Sequence, residues 1–537
     1  MGSPISQAQE FIERKVDRLR SLSVERAKVY WDFSQTSNPE LVGWLAELSD
    51  RIDQLFSDPG ELEKLEEYLA DPAVQADRML HRRLKLLSYA YLRRRADREL
   101  LSKANRLSVE LASRYNRFRP EVDGKPVTQN EIMEVLRSST DSDQVRRYWE
   151  AQKEVGAEVA EGMVELVRLR NQIAGQAGFP DYFTMNVVLS ELDPIKLAQT
   201  MAKLEEGTRP LFVELKGELD RRLSERFGIP AEELRPWHYA NPWFQDVPPV
   251  FEVDLDRLFA EADIPTIAER TFADMELEIS DVLERSSLYE REGKGPGAFC
   301  LDIDRRGDVR ISLNLKPNEQ WMSTTLHELG HAAYDKYIDP KLPWDLRRPA
   351  HSNTTEAIAI YMQSLTRRVD WLAHYVVGEE TPELRRQQPE MEAEQRAADL
   401  IFVRWGQVMY HFESKMYADP EQDLGALWYE QVRRFQLLTV DEDRLARPDW
   451  ASKLHIVQAP CMYHNYSYGH MIAAQLRHHL MGELGLPNPY CREVGSFLRE
   501  RYFAPGASLR WDELVEQALG EPLNPRHWIA ELAPSAG

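Results

Sequence analysis

The stretch WMSTTLHELGHAAYDKY, residues 321–337, reads as a helix with one chemical face. Within it, His327-Glu328-Leu329-Gly330-His331 is an H-E-x-x-H pattern. Four residues of α-helix turn through about 400°, so the two imidazoles leave the same face roughly one turn apart. That spacing lets two neutral imidazole nitrogens reach one Zn²⁺. Glu328 is offset by about 100°, beside the metal rather than on it, where its carboxylate can take a proton from an acidified water. Gly330 in mid-helix costs about 1 kcal/mol relative to alanine, which predicts close packing or ligand access there. The competing structural reading is two satisfied helix histidines.

Two histidines leave the site incomplete, because a catalytic zinc takes three protein ligands plus water. The segment LRRPAHSNTTEAIAIYMQSL (346–365) offers Glu356, 25 residues after His331. The break at Pro349 followed by AIAIYM predicts that Glu356 lies in the first turn of a new helix. Alone, this segment reads as a capping pair, with Asn353 as N-cap and Glu356 at the third helical position. Beside H-E-x-x-H the ligand reading prevails, and His327, His331 and Glu356 would hold one Zn²⁺ per chain. His351, just ahead of the helix, is the alternative third ligand. The extension H-E-x-x-H-x-x-G-x-x-H is absent.

Around this segment the chain reads as mostly helix. Residues 7–35 carry Phe11, Val16, Leu19, Leu22, Val24, Ala27 and Tyr30 at helical spacing, and 60–92, 129–154 and 156–178 are similar. The charged residues between them read as solvated faces. Pro180 ends one helix, and 229–250, dense in proline and aromatics, predicts an irregular connection. After GKGPGAFC (293–300), the alternation in DVRISLNL (308–315) predicts a strand. With no internal repeat or low-complexity linker, these breaks read as bends within one domain, 1–537. Its parts are N-terminal helices (1–100), a zinc-site strand and helices (295–365) and an aromatic segment (450–480). The fold class is mainly α, with a few short strands near the zinc helix.

The 537 residues contain 67 Lys and Arg against 89 Asp and Glu, a net charge of −22. That balance argues against nucleic acid and an anionic membrane surface as main partners, leaving room for a local basic pocket, and 43 % hydrophobic residues suffice for a large core. Cys300, Cys461 and Cys491 show no C-x-x-C spacing and are too few for a disulfide scaffold. No run of about 18 apolar residues predicts a spanning helix. MGSPISQAQEF lacks the apolar core of a signal peptide; Met1-Gly2 with Ser6 matches the loose myristoylation pattern, and an ordinary start is the plainer reading. Cysteine usage favours the cytoplasm, with a periplasmic or secreted setting open if a signal has been removed.

A second cluster lies in KLHIVQAPCMYHNYSYGHMIAAQLRHHL (453–480), where His455, Tyr463, His464, Tyr466, Tyr468 and His470 surround a helix start. It reads either as an aromatic-rich core loop or as donors to a carbonyl oxygen on which negative charge builds.

HELGH, LPWDLRRPAHSNTTEAIAI and KLHIVQAPCMYHNYSYGHM, in this order, resemble the angiotensin-converting-enzyme family of zinc peptidyl-dipeptidases. Weaker resemblance runs through YWDFSQTSNPEL (30–41), 137–185, ANPWFQ (240–245), FVRWGQVMYHF (402–412) and WDELVEQALGEPLNPRHWIAEL (511–532). GAFCLDID and YSYGHM resemble the related thimet-oligopeptidase family. Either resemblance implies a gluzincin of two helical lobes around a deep cleft, acting on short unfolded peptides.

The resemblance to angiotensin-converting enzyme implies zinc ligands at His327, His331 and Glu356 and a general base at Glu328. It implies that His455 and Tyr466 stabilise the tetrahedral intermediate, and that Gln245, Lys453 and Tyr463 clamp a C-terminal carboxylate. Such a clamp two residues from the zinc would release C-terminal dipeptides. Leu301 stands where the family has a histidine after the cysteine, and Ile360 where it has an aspartate behind the zinc ligands, so another group must orient His327. Asn465 replaces the family's chloride-binding arginine, which argues against a chloride requirement at that site. One extra residue between His455 and Tyr463 leaves Tyr468 as an alternative to Tyr466. An oligopeptidase cutting inside peptides, a carboxypeptidase and a catalytically silent peptide-binding homologue are the alternatives in function.

Overall fold

The computed structural model describes residues 3–533, and 71 % of the chain is helical. Two short two-stranded sheets are present among the described residues. The chain is therefore mainly α, as its periodicity predicts. None of the described helices is long and apolar enough to cross a membrane.

The chain folds as two compact units. The first comprises the chain up to Arg95 together with Asp254–Gln388 and Tyr468–His527. It opens with the helix Pro4–Thr36, whose N-cap Ser3 accepts the Ser6 amide. That helix buries Ala8, Phe11, Ile12, Val16, Leu22 and Val29 against Leu48, Leu65, Leu84 and Tyr91. The stretch 60–92 is three helices, Pro59–Ala70, Pro72–Ala76 and Arg78–Leu92. The cause is local: Asp71 and Asp77 each turn a carboxylate onto the amides of the following turn and start a new helix.

The same unit holds the hairpin of Phe299–Asp302 with Val309–Ser312, paired antiparallel with Phe299 opposite Ser312 and Cys300 opposite Ile311. The strand predicted over 308–315 is thus shorter in the sheet. Its continuation stays extended, with the Leu313 and Leu315 amides donating to Ser287 and Leu288 carbonyls.

The second unit comprises Ala96–Val253, Pro389–Ser467 and the chain from Trp528. Its long helix Ser142–Gln176 runs straight through residue 155, where the sequence pattern separates two helical segments. The break falls earlier, where Asp141 caps the long helix through the amides of Asp143 and Gln144. Gly156 sits where a Cβ would meet the Pro448 carbonyl at 2.3 Å, so glycine there serves close packing rather than a turn. The connection over 229–250 is irregular as predicted, with only the short 3₁₀ turns Ala231–Glu233 and Pro236–Tyr239.

Candidate metal centre and associated residues

The zinc helix, Glu319–Tyr337, starts at Asn318, whose side chain accepts the Trp321 amide at 2.9 Å. The glutamate helix, Ser352–Gln363, is capped by His351 rather than Asn353. The His351 Nδ1 accepts the Asn353 amide at 3.0 Å, and the Thr354 hydroxyl accepts the His351 amide at 3.2 Å. The Asn353–Glu356 capping pair therefore does not form, and Glu356 is the fifth helical residue, free of capping duty. His351, the alternative ligand, engages its Nδ1 in the cap instead. The two helices cross in close contact at Gly330, where a Cβ would meet the Ala359 Cα at 3.0 Å and the Ile358 carbonyl at 3.1 Å. The mid-helix glycine thus marks close packing.

The approach brings three donors together. The Nε2 atoms of His327 and His331 each stand 3.7 Å from one carboxylate oxygen of Glu356. One donor atom from each of the three lies within 4.8 Å of the others, in a partly buried position. The far nitrogens are held from behind. His327 Nδ1 is 2.6 Å from Gln363 Oε1, and His331 Nδ1 is 2.7 Å from Thr355 Oγ1. An amide oxygen only accepts, so His327 carries its proton on Nδ1 and turns the Nε2 lone pair toward Glu356. Burial pushes the His331 pKa down to about 3, which keeps that ring neutral. A carboxylate and two imidazoles whose outer nitrogens are engaged fit Zn²⁺.

Gln363 is the orienting group that Ile360 cannot be. Ile360 instead packs its Cδ1 against Gly469, and a Cβ on Gly469 would meet the Glu356 Cγ at 3.0 Å. Glycine at 469 leaves room for the Glu356 stem. Glu328 is buried, and burial followed by the nearby Glu356 charge raises its pKa to about 7. His327 and the backbone amide of Cys300 on the hairpin's edge strand oppose that rise. His470, given no role by the sequence, is buried, and burial lowers its pKa to about 3.

The remaining sequence candidates gather in the second unit. Lys453 donates to Gln245 Oε1 at 2.8 Å and lies over the rings of Trp243 (4.5 Å) and Trp405 (5.1 Å). Burial lowers its pKa to about 8, against the pull of the Asp246 carboxylate. The His455 ring is 4.7 Å from that of Tyr463 and 6.2 Å from that of Tyr466. Tyr463 accepts from Trp405 Nε1 at 2.6 Å. Among the described residues, His455 Nε2 is buried with no hydrogen-bond partner, and burial lowers the ring's pKa to about 4. Tyr468 belongs to the first unit, where its ring meets Trp511 at 5.5 Å.

Sequence reasoning missed Gln363, Thr355, Trp405 and Asp246. Thr355 and Gln363 lie one residue before and seven after Glu356, on a helix already singled out, so a search for partners of the histidines could have found them. Asp246 directly follows Gln245.

The mainly helical fold and this donor set fit a zinc metallopeptidase of the gluzincin kind. Residues 3–238 match the family model described as angiotensin-converting enzyme (Peptidase M2), and residues 284–534 match that of peptidase family M3. The chain is thus angiotensin-converting-enzyme-like in its first half and M3-like in its second, two families of zinc-dependent hydrolases acting on peptides. The segments 321–337, 346–365 and 453–480, which carry the strongest sequence resemblance to angiotensin-converting enzyme, fall within the M3 match. A comparison with curated proteins gives no significant match.

Proposed function

We propose that the protein hydrolyses short unfolded peptides and releases C-terminal dipeptides, with Glu328 as general base. The observation that carries this reading is the convergence of His327, His331 and Glu356, with Glu328 on the helix that carries both histidines. Bound there, zinc supplies the electrophile that polarises a peptide carbonyl and acidifies a water. Glu328, with a pKa raised to about 7, is suited to accept a proton at neutral pH and return it to the leaving amine. The unpartnered His455 Nε2 is suited, with Tyr466, to donate to the developing oxyanion. Lys453, Gln245 and Tyr463 would hold the terminal carboxylate. The roles of these five residues rest on the family resemblance.

A second reading, an oligopeptidase that cuts inside peptides, draws support from the M3 match over the metal-binding half and from the Lys453 ammonium already shared with Gln245 and Asp246. Mass spectrometry of products from one ten-residue peptide, with its C-terminus free or amidated, with and without chelator, separates them. Chelator-sensitive loss of successive dipeptides from the free form alone supports the first reading. Internal cuts in both forms overturn the clamp and support the second. No cleavage by a zinc-loaded chain would make it a silent peptide binder.

A further inference from the structure

The loop between His455 and Tyr463 contains one left-handed residue. Cys461 is buried and has φ +60°, the left-handed region that a side chain bearing a Cβ rarely adopts. Its amide donates to Glu413 Oε1 at 2.9 Å, from the interior of the helix Pro382–Ala418. The near end of the loop is tied by Arg170, on the helix Ser142–Gln176, which donates to the Ile456 carbonyl at 3.2 Å and the Val457 carbonyl at 2.7 Å. The Tyr417 hydroxyl, 3.1 Å from Arg170, completes its surroundings. Trp405, eight residues before Glu413 on the same helix, donates to the Tyr463 hydroxyl. Both ends of the turn are therefore fastened from fully buried positions.

We infer that Glu413 and Arg170 are positioning residues: they fasten the two ends of residues 456–461, with the left-handed turn at Cys461, and so set where His455 and Tyr463 stand. This rests on the proposal that His455 and Tyr463 contact substrate. Burial raises the Glu413 pKa to about 8, so at neutral pH it serves as a neutral acceptor rather than a charge. A glutamine can do the same.

Two readouts on the zinc-loaded full chain test this: amide hydrogen exchange over 456–463 without substrate, and kcat and KM on a short peptide. In Glu413→Ala, exchange over that segment rises and kcat falls about 10- to 100-fold, while KM stays within about threefold. Glu413→Gln keeps both near wild type. Adding Cys461→Gly to Glu413→Ala restores most of kcat, because glycine adopts the turn unaided. Wild-type exchange in Glu413→Ala overturns the lock, as does a Glu413→Gln variant as damaged as the alanine. Full kcat in His455→Ala overturns the underlying functional reading instead, and the exchange measurement still decides the lock on its own.

Discussion

Gly330 passes so close to Ala359 that any side chain on it would press on the backbone of the neighbouring helix, its Cβ 3.0 Å from the Ala359 Cα. This contact sets the distance between the helix carrying both histidines and the helix carrying Glu356. Gly330→Val therefore separates the helices. Overpacking of this kind costs about 1–3 kcal/mol, and the apo protein relaxes by parting the donors. The whole cost then falls on metal binding, raising the zinc Kd roughly 5- to 150-fold. Competition against a calibrated chelator measures it. A wild-type Kd would show that the glycine serves packing alone.

The Gln363 amide oxygen stands 2.6 Å from His327 Nδ1, where a metal-bound histidine ordinarily has an orienting partner. A neutral amide fixes the tautomer but adds no negative charge, so it supports the ring less than a carboxylate does. Gln363→Ala is expected to weaken zinc binding about 10- to 100-fold. Gln363→Glu restores or tightens it. A Glu variant weaker than the Ala variant would mean that the amide orientation, or the partner, is different.

Glu328 shares the helix Glu319–Tyr337 with both histidines but is turned about 100° from His327, so substitution can tell a base from a ligand. Glu328→Gln should keep the zinc stoichiometry and lower kcat by about 10²–10⁴. Glu356→Gln should lose metal and activity together. Metal analysis of both purified variants decides the matter. Loss of zinc from Glu328→Gln would make it a ligand and displace Glu356 from that role.

What was legible in the sequence is what local periodicity controls. His327, His331 and Glu328 are placed by helical rotation alone, and a helix with a glycine at its centre announces a tight crossing. Glu356 was legible only in combination, because its surroundings also fit a capping box. The structure gives the cap to His351, an imidazole that capping statistics do not favour. Gln363 and Thr355 escaped because their role depends on how two helices cross, which neither helix encodes by itself. The division of 60–92 was written in Asp71-Pro72 and Asp77, but an apolar period of 3.6 runs across such short interruptions. The break expected at 155 failed for the opposite reason: Gly156 interrupts the pattern and not the helix. Cys461 bears a turn ordinarily given to glycine, so only the chain's geometry reveals it.

Glu413 also gives the fold a pH dependence whose sign follows from burial. Burial raises its pKa to about 8 in the folded chain, against about 4.3 when unfolded. Between those values the native state holds a proton that the unfolded state has released. Stability from this residue is complete below the unfolded pKa and is lost as pH rises through the folded one, by up to about 1.4 kcal/mol per pH unit. Glu413→Gln cannot titrate and keeps a neutral acceptor for the Cys461 amide. Its thermal midpoint, compared with wild type at pH 5.5, 6.5 and 7.5, should therefore gain on wild type as pH rises. A constant difference across the three would mean that the buried acid releases its proton at an ordinary pH, with Arg170 compensating the charge.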